Sequence, residues 1–261
     1  MGTLLKILLT PALVAAATLL ARRWGPGVGG TLAGLPLTST PVSIFLALEQ
    51  GPMFAATAAC GTLLGLLSQA ALCLAYSWSA RRAAWWTSTA VGMSAFLVTT
   101  LLVERVSASL PIAFALVCGG LLLTAGVMPV PAMVCGPVRA PGWDLAMRML
   151  VATTIVVGLT TIAATVGPRW TGLLSPFPVF ALVLGAFTHR TQGAGAVAHL
   201  LRGVVLGSLA HATMFVLVAS WLMPYGLVST YCWASLSAVA VNGLALLVMN
   251  RAGRRRGPVG V

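Results

Sequence analysis

The sequence predicts an all-α, polytopic membrane protein, and three observations carry that prediction. Hydrophobic residues make up 59% of the 261-residue chain and charged residues 7%, with a mean hydropathy of +1.00. A soluble domain carries about a quarter charged residues, so a water-facing surface cannot be built from this composition. The apolar runs are roughly 18–24 residues long, enough for a helix to cross a ~30 Å hydrocarbon core. Those runs are rich in Ala, Leu and Val and lack period-two alternation. Backbone groups in lipid must be satisfied internally, which allows helices or a closed barrel, and the pattern selects helices.

Nine apolar segments follow in order: 3–21, 31–48, 55–79, 84–103, 108–128, 145–166, 171–188, 203–222 and 226–249. The first has Lys6 before it and Arg22-Arg23 directly after it, a poor cleavage region and a good anchor, so it reads as a true span rather than a signal peptide. The second is interrupted by Gly34-Leu-Pro36-Leu-Thr-Ser-Thr-Pro41, and the seventh by Leu174-Ser-Pro176-Phe-Pro178. Proline removes a donor and clashes with the preceding turn, so each is a broken helix or a re-entrant hairpin. Two hairpins would leave seven spans instead of nine. The third, fourth and fifth segments run unbroken. The sixth follows Asp144, whose carboxylate complements a helix N-terminus and reads as a cap. Arg251-Ala-Gly-Arg254-Arg255-Arg256 closes the last segment and reads as a cytoplasmic stop; Glu104-Arg105 reads as an interfacial pair.

Counting Lys and Arg in short loops sets the orientation. With nine spans, one side holds Arg22, Arg23, Arg81, Arg82, Arg139, Arg148, Arg190, Arg202 and the four tail arginines. The other holds Lys6, Arg105 and Arg169, with Glu49 and Glu104. The expected topology is therefore N-terminus outside and C-terminus cytoplasmic. The net charge of +12 does not imply nucleic acid, because most basic residues lie singly or in pairs between apolar runs.

The chain also repeats itself. Gly61-Thr-Leu-Leu-Gly65-Leu-Leu-Ser-Gln69-Ala70 is echoed by Gly203-Val-Val-Leu-Gly207-Ser-Leu-Ala-His211-Ala212, with Gly61/Gly203, Gly65/Gly207, Leu67/Leu209 and Ala70/Ala212 identical. Upstream, Arg23-Trp-Gly-Pro26, Ala33-Gly-Leu and Pro41-Val42 are answered by Gly167-Pro-Arg-Trp170, Thr171-Gly-Leu and Pro178-Val179. The chain divides accordingly into a first repeat (1–107), a linker span and loop (108–143), a second repeat (144–250) and a basic tail (251–261). Four spans, one linker span and four spans place the second repeat upside down relative to the first. Two such inverted repeats with broken helices are a recurring plan of secondary transporters.

Each half resembles the GlpM family of small bacterial inner-membrane proteins. The resemblance lies in Leu4-Leu5-Lys6-Ile7-Leu8-Leu9, in Ala33-Gly34-Leu35-Pro36, in the run from Gly172 to Leu182 (GLLSPFPVFAL) and in Cys232-Trp233-Ala-Ser-Leu236-Ser. This chain is about twice the family's length and adds the segment 108–128. The resemblance implies a helical protein of the bacterial inner membrane and little else.

Gln69 and His211 lie near the middle of their segments, where a polar side chain must avoid lipid. Each makes an interhelical hydrogen bond or contacts a solute, and their pairing across the repeats points to one central site. Gly61, Gly65, Gly203 and Gly207 form small-xxx-small faces that let backbones approach, with Gln69 and His211 four residues further along the same faces. Breaks at Pro36, Pro41, Pro176 and Pro178 would expose amides and the hydroxyls of Thr38, Ser39, Thr40 and Ser175 to a solute. The five cysteines, Cys60, Cys73, Cys118, Cys135 and Cys232, show no metal-ligand spacing and read as small hydrophobes. His189, His199 and His211 have no carboxylate or cysteine at ligand spacing, so no metal and no cofactor is expected. No nucleophile–base set is visible and no catalytic residue is assigned.

The expected function is transport of an unidentified small solute across the inner membrane, not catalysis. The alternative is a non-transporting accessory or assembly subunit of a membrane complex. The expected partners are the lipid bilayer and that solute, with no nucleic acid; the oligomeric state is left open.

Overall fold

The computed structural model describes residues 2–36, 39–129, 142–163 and 178–255. Among the described residues every regular element is an α-helix. They are α1 (Gly2–Trp24), α2 (Pro26–Ala33), α3 (Ser39–Glu49), α4 (Pro52–Ser79), α5 (Trp85–Glu104), α6 (Leu110–Val127), α7 (Asp144–Ala163), α8 (Val179–Tyr225) and α9 (Leu227–Arg255). Five are long and apolar enough to cross a membrane: α4, α5, α6, α8 and residues Leu227–Leu247 of α9.

The second segment is broken as expected. Its two pieces, α2 and α3, are separated by Gly34, Leu35 and Pro36 and by two positions outside the described residues. Pro41 does not break anything, because it falls in the first turn of α3, where its missing N–H has no intrahelical partner to lose. Pro178 caps the start of α8, while Ser175 and Pro176 lie outside the described residues.

Among the described residues four corners, at Gly25, Gly51, Gly193 and Gly226, have positive φ, and two of them, Gly51 and Gly193, correspond between the repeats. At Gly51, between α3 and α4, φ is 92° and ψ 160°. At Gly193, inside α8, φ is 84° and ψ −178°. A side chain at either position would be strained in this backbone region, which glycine alone enters freely. Both are preceded by glutamine, Gln50 and Gln192, and the same spacing separates Gly51 from Gly193 as separates Gly61 from Gly203. The repeat thus extends to a Gln-Gly corner outside the motifs that the apolar segments display. The corner divides α8 into a short arm (179–192) and a long arm (194–225).

Helices α4 and α8 form the interior, with 67% and 61% of their best apolar windows buried, against 22–28% for α5, α6 and α9. The outer helices turn Leu97, Leu101, Leu116, Leu123, Leu236 and Leu244 outward. Exposed leucine is the expected lining of a lipid-facing surface rather than a defect of packing. Helix α4 and the long arm of α8 run antiparallel. The start of α4 (Ala55, Ala56, Ala59) shares a cluster with the end of α8 (Met214, Phe215, Val218, Leu222). Its later turns (Leu63, Leu66, Leu72) pack with Leu200, Leu201 and Val204.

Helix α2 lies along α8 and parallel to its long arm, whereas α3 packs chiefly against α4. An added Cβ on Gly203 would overlap the Gly27 carbonyl oxygen, and one on Gly207 the Thr31 carbonyl oxygen. From the other side, a Cβ on Gly30 would strike the Leu200 carbonyl oxygen and one on Gly34 the Val204 carbonyl oxygen. This is contact of backbone with backbone, and glycine on both helices is its precondition. Further along, Thr40 at the start of α3 meets Met214, and the rest of α3 packs against α4.

The arginine-rich turns meet at one end. Arg22 bonds to Asp144, the Arg190 guanidinium lies 5.8 Å from the Trp143 ring centroid, and Tyr76 lies within 3.4 Å of both the Trp85 carbonyl and His189 Nδ1. Exposed Trp24, Trp78, Trp85, Trp86 and Trp143 ring this end, and Trp221, Tyr225 and Trp233 the other, the placement of aromatic belts at two membrane interfaces.

Alanine at Gly203 or Gly207 is expected to lower stability in detergent by about 1–3 kcal/mol, the cost of overpacking a close contact. Gly243→Ala, at an α9 position with open space around it, is expected to be neutral or slightly stabilising. Thermal unfolding of the three variants checks the contrast; equal midpoints would show that the α2–α8 contact can relax.

Candidate functional site

The interior between α4 and α8 contains the polar residues singled out from the sequence. Gln69 is 5% exposed and His211 4%. Gln69 lies ten residues from the end of α4, about 15 Å at 1.5 Å per residue, so it sits deep in the apolar bundle. Helix α4 could not turn it outward without placing an amide in lipid.

Gln69 and His211 do not bond to each other. Gln69 Nε2 donates to Ser208 Oγ at 3.1 Å, and Ser208 Oγ donates in turn to the Val204 carbonyl at 2.8 Å. This chain of two bonds joins α4 to α8. His211 instead faces α2, where its ring meets the backbone of Gly34 and stands 5.1 Å from the Phe215 ring. Its Nε2 is buried without a hydrogen-bond partner, as is Ser68 Oγ beside Gln69. Two unsatisfied polar groups therefore flank the Gln69–Ser208 bond within about a turn on either helix. Each such group costs about 1–3 kcal/mol relative to a paired one.

The glycines do not form one shared face for Gln69 and His211. Gly203 and Gly207 are consumed by the contact with α2, so their role is packing. Gly61 and Gly65 are buried on α4. The hydroxyls expected at the first break are also partly committed. Thr40 Oγ1 donates to the Pro36 carbonyl at 2.6 Å, and the Thr40 amide donates to the same oxygen at 2.9 Å. Pro36 lacks the N–H that would continue the helix, and Thr40 closes the break over its carbonyl. Ser39 is 4% exposed; Thr38 lies outside the described residues.

Asp144 requires a correction. It does open α7, but its side chain is no simple cap. The residue is fully buried, and Oδ2 accepts from Arg22 Nη2 and from Arg148 Nε, both at 2.9 Å. Arg148, read from the sequence as a topology marker, is 3% exposed. The i, i+4 spacing of Asp144 and Arg148 is visible in the sequence; the partner 122 residues away is not.

This arrangement places the hydrogen-bonding groups of Gln69, Ser68, Ser208 and His211 inside the bundle. His211→Leu is expected to leave the unfolding midpoint nearly unchanged, because loss of the ring's contact with the Gly34 backbone is offset by removal of a buried unsatisfied nitrogen. Gln69→Leu is expected to lower stability by about 1 kcal/mol, the scale of an interhelical hydrogen bond in a membrane. Chemical unfolding of both variants tests this; a large loss at His211 would show that its ring is a structural partner. No protein-family model, no curated protein and no solved structure matches this chain.

Proposed function

We propose that the chain is a permease for a small polar solute, built from two inverted repeats and residing in a bacterial inner membrane. One observation carries the reading: the two helices that echo each other in sequence, α4 and the long arm of α8, start from equivalent Gln-Gly corners and pack antiparallel. Antiparallel equivalents are what an inverted repeat requires, and inverted repeats place a binding site at their interface near the midplane. Gln69 and Ser208 meet at that interface, and His211 lies within a turn of Ser208 on α8, facing α2. The break at Pro36 passes directly beside it, because Gly34 meets His211. The proposed topology has the arginine-rich end in the cytoplasm and the N-terminus outside, and the GlpM resemblance supports the same membrane.

The accessory-subunit reading keeps one observation in its favour. The α2–α8 crossing is backbone-tight, which suits a static scaffold as well as a moving one.

Accessibility separates the two. With native cysteines replaced, Thr40→Cys in whole cells and in inside-out vesicles is expected to react with a membrane-impermeant maleimide, reflecting water entry along the broken helix. No reaction from either face, together with stoichiometric recovery of a partner complex, would decide for the accessory role. A reporter fused after Val261 is expected to be active only as a cytoplasmic protein; an external reading would overturn the orientation.

A further inference from the structure

The permease reading leaves the Arg22–Asp144–Arg148 cluster without a role. We infer that this cluster is a latch that holds α1 against α7 and the short arm of α8, and that its release at the Arg22–Asp144 bond opens the arginine-rich end. The inference deepens the permease reading by naming what keeps one end shut.

The first support is where the cluster sits. Asp144 joins α1 to α7 through Arg22, and Arg148 carries the connection to α8. Its Nη1 lies 3.5 Å from the Leu184 carbonyl oxygen and 3.4 Å from Thr188 Oγ1, and its guanidinium lies 5.2 Å from the Phe187 ring centroid. Asp144 ties α1 to α7, and the Arg148 it holds ties α7 to α8.

The second support is energetic. Ion pairs removed from water gain little net stability, because desolvation offsets attraction, and their best-attested use is to specify one state over another. Here two guanidiniums share Oδ2, whereas Oδ1 is buried without a partner. A carboxylate offers about four acceptor positions, so half of this one is idle. The closed arrangement is held, but not saturated.

The third support gives the latch a direction. The Arg148 side chain is 3% exposed and the Arg22 side chain 32%. Arg22 regains water easily when it lets go, whereas Arg148 keeps Asp144 within its own helix and its contacts to α8. The weak joint is therefore between α1 and α7. Arg190 over Trp143 adds another positive charge at this end, so loss of the Asp144 charge leaves guanidiniums that repel one another.

The test uses the full chain in lipid nanodiscs, with native cysteines replaced and nitroxide labels at Arg23→Cys and Arg190→Cys, both exposed positions. Pulsed electron–electron double resonance is expected to give one dominant distance. Arg22→Gln is expected to raise a longer-distance population several-fold, and Asp144→Asn to do the same. The exchange Arg22→Asp with Asp144→Arg is expected to restore the single distance, because a carboxylate carried by α1 can then accept from both guanidiniums on α7. An unchanged distribution in Arg22→Gln overturns the latch, and so does failure of the exchange to restore it. Should Asp144→Asn not fold, Arg22→Gln removes only the partly exposed partner and decides alone. These distances need no solute, so a protein that opens but carries nothing would sink the permease reading and leave the latch standing.

Discussion

The bundle depends on one contact, the crossing of α2 and α8 at Gly27, Thr31, Gly203 and Gly207. In water, two apolar helices are driven together by the release of solvent. In lipid that force is absent, and association relies on dispersion, on close backbone approach and on interhelical hydrogen bonds. Dispersion falls off steeply with separation, so removing side chains from both faces of a crossing is the most direct way to strengthen it. Once α2 is held there, the start of α3 is brought to Met214 at Thr40, and α1 is held by Ala17 and Ala21 against Gly29. Helix α8 in turn packs on α4, and the outer helices coat that pair. The requirement for glycine at the crossing thus positions the broken segment beside His211.

The polar interior follows from the same solvent. A hydrogen-bonding group in hydrocarbon has no water to fall back on, so a chain that keeps Gln69, Ser68, Ser208 and His211 inside must pair them or leave them unsatisfied. It does both. Gln69 and Ser208 are paired, whereas Ser68 Oγ and His211 Nε2 are not. Satisfied groups read as interhelical glue. Unsatisfied ones at equivalent depth are what a protein retains when something else supplies the missing partner, and natural sequences tolerate such violations chiefly at functional positions.

Much of this is legible in the sequence because it is local. Length and hydropathy mark helices, prolines mark breaks, and the first break falls between α2 and α3 as Gly34 and Pro36 require. The repeat is legible in its glycines and in Gln69 and His211, but its most telling part is inconspicuous. Gln50-Gly51 and Gln192-Gly193 are polar and short, and they lie just outside the apolar runs that draw attention. Only the positive φ at both glycines shows why they recur. Partner choice is not legible. The small residue at 203 announces a close approach without saying that Gly27 will meet it rather than Gly61 or Gly65. Asp144 has a sound local explanation as a cap, and a sound local explanation conceals a long-range one, because nothing in the sequence around Asp144 refers to Arg22.

The contacts at the two ends of the bundle differ in kind, and on the permease reading this asymmetry constrains how the proposed pair of repeats would work. At the arginine-rich end the contact is ionic, Asp144 between Arg22 and Arg148. At the opposite end α3 meets α9 through a buried hydrogen bond between Ser43 and Tyr231, within an apolar cluster that includes Phe215 and Leu222. Repeats of one ancestral unit would close both ends alike if both ends did the same work. An ionic closure is weakened by rehydration of its more exposed partner, here Arg22; an apolar closure with a neutral hydrogen bond is not. On the permease reading, a cycle between states open to opposite sides would therefore meet two barriers of different origin. The residues that would set them, Asp144 at one end and Tyr231 at the other, lie on helices outside the α4–α8 pair.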